Sequence, residues 1–263
     1  MTPIANARMY SPTPAAKDAW RELVGWVLAR AGLDWPVVDH DPPAKLAELW
    51  ARDDLGCVQM CGLPFALRTP QPRLVAAPIP SRPRYEGRPV YFSDLIVRAD
   101  SPFGTLADAV AQRVGYTLKD SQSGYVALRH HLLVRRMKAG TAVGPLVTAR
   151  RVLDAVVARE IDVGPLDSYV HDLLRQHEPA LAARVRVLET TDPAPIPPFV
   201  ATAPLDDATL GRLREGFLAV AQEPTLAAAR AALLLRGFAI MRPEDYDVPR
   251  RRAERVAAAG EDW

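Results

Sequence analysis

Segments patterned as strands alternate with segments patterned as helices along most of this chain, and that order constrains the fold more than any other feature. Parallel strands cannot be joined by a tight turn. Each needs a crossover of a dozen residues or more, usually a helix, so the alternation predicts an α/β architecture with mainly parallel sheets and flanking helices. Ile4 to Tyr10 reads as the first strand, and Ser11-Pro-Thr-Pro14 opens an amphipathic helix over Ala15 to Ala31 with Trp20, Leu23, Val24, Val27 and Leu28 at helical spacing. Trp35 to Asp39 is the next expected strand, Pro43 to Arg52 the next helix, and Leu55 to Met60, Arg73 to Ile79 and Val90 to Val97 are three further strands. After Ala99-Asp-Ser-Pro102 the cycle restarts, with a helix from Leu106, a strand over Arg113 to Thr117 and helices over Val126 to Lys138 and Leu146 to Arg159. A strand over Ile161 to Gly164, a helix opened by Pro165-Leu-Asp-Ser-Tyr169 and a strand over Val185 to Thr190 follow. The proline-rich Asp192 to Pro198 suits a crossing segment. Terminal helices are expected near Asp206 to Gln222, Thr225 to Leu235 and Pro243 to Ala259. The restart predicts two lobes, residues 1–95 with 198–263 and residues 96–197, with crossovers near 92–98 and 191–199.

At 263 residues and 49% hydrophobic content the chain can bury one large or two modest cores. Its 33 basic and 31 acidic residues are spread along the length, so the net charge of +2 leaves no basic stripe for nucleic acid. Cys57 and Cys61 stand four apart, which fits neither a C-x-x-C pair nor a zinc site, and two buried free thiols are expected. His130, His131, His171 and His177 lack partners at metal-ligand spacing, so neither a metal nor a cofactor is expected. The opening M-T-P-I-A-N-A-R-M-Y-S shows no basic segment leading an apolar one, and no stretch approaches eighteen apolar residues. A cytoplasmic location is expected if Met1 is the native start, and a periplasmic one if a leader was removed.

The richest local chemistry lies in Lys119-Asp-Ser-Gln-Ser-Gly-Tyr125, between the apolar run at Arg113 to Thr117 and the helical pattern from Val126. A strand, a hydroxyl-rich turn and a helix make an anion cradle: Ser121 and Ser123 offer hydroxyls, and N–H groups around Ser123, Gly124 and Tyr125 would be the unpaired donors of the helix's first turn. Gly124 would let a ligand approach the backbone. A plain serine cap accounts for the same residues. Ligand sites in such folds sit beyond the carboxyl ends of parallel strands, which draws attention to the loops Tyr10 to Thr13, Gln59 to Leu63 and Gly164 to Tyr169, and to Tyr91 and Ser93 at the crossover. Tyr10, Ser11 and Gln59 are candidate contacts by topology alone. Tyr91 either closes over a ligand or packs in a core, and Asp167 is placed to cap the helix that follows it. No nucleophile stands beside a base, so no catalytic residue is expected.

In this order the motifs resemble those of the phosphate/phosphonate substrate-binding proteins of ABC transporters, a periplasmic-binding-protein type 2 family. Tyr91-Phe-Ser-Asp-Leu-Ile-Val-Arg-Ala-Asp-Ser-Pro102 and Thr105-Leu-Ala-Asp108 look like the family's tyrosine-bearing crossover strand, D-S-P turn and following helix. Asp120-Ser-Gln-Ser-Gly-Tyr125 is similar to its S-x-S-G-y turn, and the segment from Arg150 to Asp167 is similar to a-v-x-x-G-x-a-D-v-g-a-i-D. Thr191 to Pro197 and Gly237-Phe to Tyr246-Asp247 resemble its proline-rich return and its C-terminal G-F…Y-D. The sequence departs from the pattern at Gln122 and Glu160, where small residues are usual, and at Val143-Gly-Pro145, all that is left of a t-G-s-h turn.

The resemblance implies a two-lobed type 2 fold and a monomeric solute-binding protein whose lobes close over a small anion, phosphonate- or phosphate-like, for delivery to an ABC permease. It also implies that Ser121, Ser123, Gly124 and Tyr125 hold the anionic group and that Asp167 faces a ligand amine. Two other readings stay open on sequence. One is a cytosolic enzyme on the same fold, as in the futalosine route to menaquinone or in thiamine-pyrimidine synthesis. The other is a ligand-sensing module read by a partner. Arg250-Arg-Arg252 and Arg255 fall on the solvated face of the last expected helix and are assigned no site.

Overall fold

A computed structural model describes residues 2–42 and 44–260 and divides into two compact units. The first runs to Val90 and resumes from Ile196 to Asp245, and the second comprises Tyr91–Pro195 and the chain from Tyr246. Pro43, where a helix is expected to begin, lies outside the described residues, and that helix is described over Leu46–Trp50.

The first unit holds a five-stranded sheet in the order Ile4–Asn6, Leu55–Gln59, Phe199–Ala201, Arg73–Pro80, Leu235–Ala239. Ile4–Asn6 and Leu55–Gln59 run parallel, whereas Phe199–Ala201 lies antiparallel between Leu55–Gln59 and Arg73–Pro80, and Leu235–Ala239 is antiparallel to Arg73–Pro80. Thr13 caps the helix Pro14–Arg30, its hydroxyl accepting from the Ala16 N–H at 3.3 Å, with Pro14 at the first helical position where a missing N–H costs nothing. The helix buries Trp20, Leu23, Val24, Val27 and Leu28, the apolar stripe expected from their spacing. Trp20 meets Phe199 at 5.8 Å between ring centroids, and Phe217 meets Phe238 at 4.7 Å, forming the aromatic centre of this unit.

Several expectations fail in this unit. The strand expected over Ile4 to Tyr10 ends at Asn6, with Arg8–Tyr10 a short 3-10 helix. The pairings are mostly antiparallel where mainly parallel ones are expected. Trp35 to Asp39 contributes only a bridge from Val37 to Ala5, because Pro36 has no N–H to extend a ladder. The helical reading to Leu235 stops early: the helix is Ala227–Ala232, Leu234 turns left-handed at φ 49, and Leu235–Ala239 leaves as an edge strand.

The second unit's sheet has the order Thr141–Val143, Arg113–Gly115, Val163–Asp167, Ser93–Arg98, Val185–Thr190. Ser93–Arg98 is antiparallel to both its neighbours, while Arg113–Gly115 is parallel to Thr141–Val143 and Val163–Asp167. One sheet face packs Leu95, Val97, Val114 and Val163 on Leu106, Val110, Leu128 and Leu132, so the helices Leu106–Val110 and Ala127–Val134 are held by apolar burial.

The last helix, Asp247–Ala258, belongs to this second unit and not to the first, as residues 198–263 were expected to. It packs on Ala127–Val134 and on the turn preceding it. Arg129 donates to the Gly260 carbonyl at 2.9 Å, and Arg252 donates to the carbonyls of Asp192 and Pro193 at 3.2 and 2.9 Å. Arg252 is therefore structural, not part of a purely solvated face. No described helix is long and apolar enough to cross a membrane.

Candidate functional site

The chain leaves strand Arg113–Gly115, passes Thr117 and reaches Ser121, whose extended backbone (φ −83, ψ 123) starts the next helix. The Ser121 hydroxyl accepts from the Gly124 N–H at 3.0 Å. Its carbonyl accepts from the Tyr125 and Val126 N–H groups at 3.2 and 3.0 Å, so the first turn is one residue wider than an α-turn before Ala127–Val134 continues regularly. This corrects the expected donor set. The N–H groups of Gly124 and Tyr125 are consumed by Ser121, and those of Gln122 and Ser123 precede the first intrahelical bond.

Gly124 also serves a different purpose from the one its freedom suggests. A Cβ there would lie 1.8 Å from Thr117 Oγ1, so the α-carbon is bare to admit Thr117, whose N–H donates to the Gly124 carbonyl at 3.0 Å. Tyr125 is buried, its ring edge-on to Tyr116 at 5.4 Å, and anchors the turn by packing.

Ser123 ties the turn to the sheet. Its carbonyl accepts from the Ser93 hydroxyl at 2.8 Å, and its own hydroxyl is hydrogen-bonded to the Asp167 carboxyl. Ser93 and Asp167 are direct cross-strand partners, and the Ser93 N–H donates to Thr191 Oγ1 at 3.0 Å. Asp167 caps the helix Ser168–His177, Oδ1 accepting from the Tyr169 and Val170 N–H groups at 3.0 and 3.2 Å. Burial pushes the Asp167 carboxyl up to about 7 against the lowering effect of the two amides and Ser123, and the Asp94 charge adds to the rise. On the other sheet face Asp94 Oδ2 lies 2.7 Å from His171 Nδ1, with Thr190 Oγ1 donating to Asp94 Oδ1 at 3.1 Å, a fully buried pair that ties strand to helix.

The remaining expected residues divide between the units. In the second, Tyr91 is buried near the Arg252 guanidinium. His131 bonds Glu189 at 3.1 Å, and burial together with Arg252 and Arg255 holds His130 below the ordinary imidazole range, so the two histidines serve the helix's surroundings. In the first unit, Tyr10 is buried and its carbonyl accepts from Trp20 Nε1 at 2.9 Å, while the Ser11 hydroxyl donates to the Ala7 carbonyl at 2.9 Å. Gln59 ends strand Leu55–Gln59, its carbonyl accepting from Trp50 Nε1 at 2.9 Å, and its carboxamide is buried with no partner among the described residues. Cys57 and Cys61 are buried free thiols, and burial drives the Cys57 thiol far above its ordinary range. No group of three or more His, Cys, Asp or Glu side chains among the described residues could hold a metal.

The sequence points to the turn and to Ser93 at the crossover, but not to how they join. The bond from Ser93 to Ser123 depends on pairing between distant strands. Gln122 looked like a departure from a motif, yet it is a fully buried polar side chain in the middle of the cradle.

Residues 13–246 match the family described as ABC transporter, phosphonate, periplasmic substrate-binding protein. Among solved structures, the chain is similar to a binding-protein component of an ABC phosphonate transporter from Pseudomonas aeruginosa (TM-score 0.77, 17% identity, covering 98% of this chain and 89% of that one). It is also similar to PhnD1 from Prochlorococcus marinus in complex with methylphosphonate (TM-score 0.74, 13% identity, 97% and 98% covered). A third, XAC2383 from Xanthomonas citri bound to ATP, has a TM-score of 0.69 at 19% identity, with 99% and 100% covered. No curated protein matches the chain in sequence.

Proposed function

Because the chain belongs to the phosphonate-binding family of periplasmic ABC-transporter substrate-binding proteins, we propose that it holds a phosphonate- or phosphate-like oxyanion on the turn Ser121 to Gly124 and delivers it to a permease. Family membership makes it a periplasmic transport protein and not an enzyme. The observation that carries the ligand assignment is the convergence of Ser93, Ser123 and Asp167 behind two N–H groups at the start of a helix.

The chemistry of that cluster suits an anion. N–H groups at the positive end of the helix supply directed donors without a counter-cation. A serine hydroxyl that donates to a carboxylate cannot donate to a ligand as well, since it has one proton. When Asp167 is protonated, its own O–H donates to Ser123 Oγ and releases the Ser123 proton toward the oxyanion. Burial holds Asp167 near the pH at which this exchange operates. Tyr91 is proposed as a further contact within the second unit, with a monomer as the working form.

Calorimetric titration with methylphosphonate and phosphate tests the reading. Ser121→Ala combined with Ser123→Ala should weaken the bound anion by tenfold or more, and unchanged affinity would remove the turn from the site.

A further inference from the structure

Gln122 is 1% exposed, and neither Nε2 nor Oε1 has a hydrogen-bond partner among the described residues. A buried primary amide left unpaired costs about 1–3 kcal/mol for each unsatisfied group. An apolar side chain of the same length would avoid that cost, so the amide needs a partner that this chain does not supply. Its position names the place for one. Gln122 lies between Ser121 and Ser123, and its own N–H is one of the two cradle donors left unspent. An oxyanion on that N–H would sit about 3 Å from the nitrogen, within the span of the same residue's side chain.

Of the two carboxyls nearest the cradle, Asp120 is exposed to solvent and Asp167 is already committed. Asp167 takes two helix amides on Oδ1 and a bond with Ser123, and it is buried. Of the other buried carboxylates in the second unit, Asp94 is held by His171 and Thr190 and Asp172 faces Arg175, while the half-buried Glu189 is held by His131 and Arg135. A solute carrying an ammonium group would find no unengaged carboxylate among these, whereas a neutral amide presents both a donor and an acceptor.

Building on the oxyanion reading above, we infer that Gln122 is a specificity-determining residue whose carboxamide reads a neutral hydrogen-bonding group on the solute, so the preferred ligands are oxyanions with a hydroxyl or similar substituent and not aminophosphonates. An amide that finds its partner only in the bound solute discriminates strongly against an analogue lacking that partner, because such an analogue leaves the buried group unpaired.

The test is titration calorimetry of the wild-type protein and Gln122→Met, which keeps the volume and removes the polar atoms, against ethylphosphonate, 2-hydroxyethylphosphonate, 2-aminoethylphosphonate and phosphate. Wild-type protein should bind the hydroxyethyl compound at least tenfold more tightly than either the ethyl or the aminoethyl compound. In Gln122→Met the hydroxyethyl-to-ethyl ratio should fall to within about threefold of unity, with ethylphosphonate affinity kept. Equal wild-type affinities for the hydroxyethyl and ethyl compounds, preference for the aminoethyl compound, or a ratio unaltered by Gln122→Met overturns the assignment. The wild-type ratios decide even if the variant does not fold. Failure of the wild-type protein to bind any of the four anions overturns the oxyanion reading itself, an outcome distinct from binding without discrimination.

Discussion

The hydroxyl of Ser123 and the carboxyl of Asp167 share a hydrogen bond at a buried point where strand Val163–Asp167 ends and the helix Ser168–His177 begins. Its direction depends on which partner holds the proton, so the proposed anion binding is expected to vary with pH. The Asp167 carboxyl is raised from 3.8 to about 7, so the folded protein keeps a proton that the unfolded chain loses first. Stability from this group is complete below pH 4 and declines as pH rises toward 7. Asp167→Asn keeps a capping oxygen and supplies a permanent donor to Ser123. It should be more stable than the wild type by on the order of 2 kcal/mol at pH 8 and little different near pH 4, as read by urea unfolding at the two pH values. At pH 8 it should bind methylphosphonate at least as tightly as the wild type, and a weaker variant at both pH values would remove the proton from the mechanism.

Gly124→Ala forces a Cβ into Thr117 and should open the cradle turn. A loss of about 2 kcal/mol or more is expected for such an overpacked contact, together with weakened anion binding. Thr117→Ala trims the clashing atoms, so the double variant should lose less than the two single changes added together. Additive losses would show that the close approach is not what requires glycine here.

His171→Phe removes the imidazole from the fully buried Asp94 and leaves Thr190 donating to it, and breaking such a pair costs about 3 kcal/mol. Asp94→Asn retains hydrogen-bonding capacity toward both neighbours and should cost less. Denaturant midpoints for the two variants check the order, and the reverse order would place the stabilising interaction elsewhere.

The Cys57 thiol is buried and its ionisation is strongly suppressed by desolvation. In native protein at pH 8 it should resist iodoacetamide, then react at once in guanidinium. Mass spectrometry of the two reactions provides the check, and rapid native labelling at Cys57 would contradict the burial.

Much of the scaffold was readable from local pattern because the forces responsible are local. Val185–Thr190 occupies the expected span. Thr105-Leu-Ala-Asp108, quoted for its resemblance, forms a capping box in which the Thr105 hydroxyl accepts from the Asp108 N–H at 3.2 Å. Pro14, Thr13 and the Trp20 stripe began the first long helix as their chemistry requires. Antiparallel return strands were harder to read. Phe199–Ala201 is three residues long and is a strand because it fits between Leu55–Gln59 and Arg73–Pro80. The last helix, amphipathic in sequence, carries no mark of the unit whose helix it will cover.

The sequence by itself determined the alternation of elements, the family and the position of the hydroxyl turn, since periodicity, caps and motif order act over a few residues at a time. Tertiary structure alone decided which donors that turn retains, because Ser121 spends those of Gly124 and Tyr125 on itself. It also decided that Ser93, Ser123 and Asp167 meet, and that Gln122 is buried with its amide unmatched. Those outcomes depend on strand register and on the packing of segments distant in the chain, where each polar group is satisfied or stranded by neighbours that no local pattern specifies.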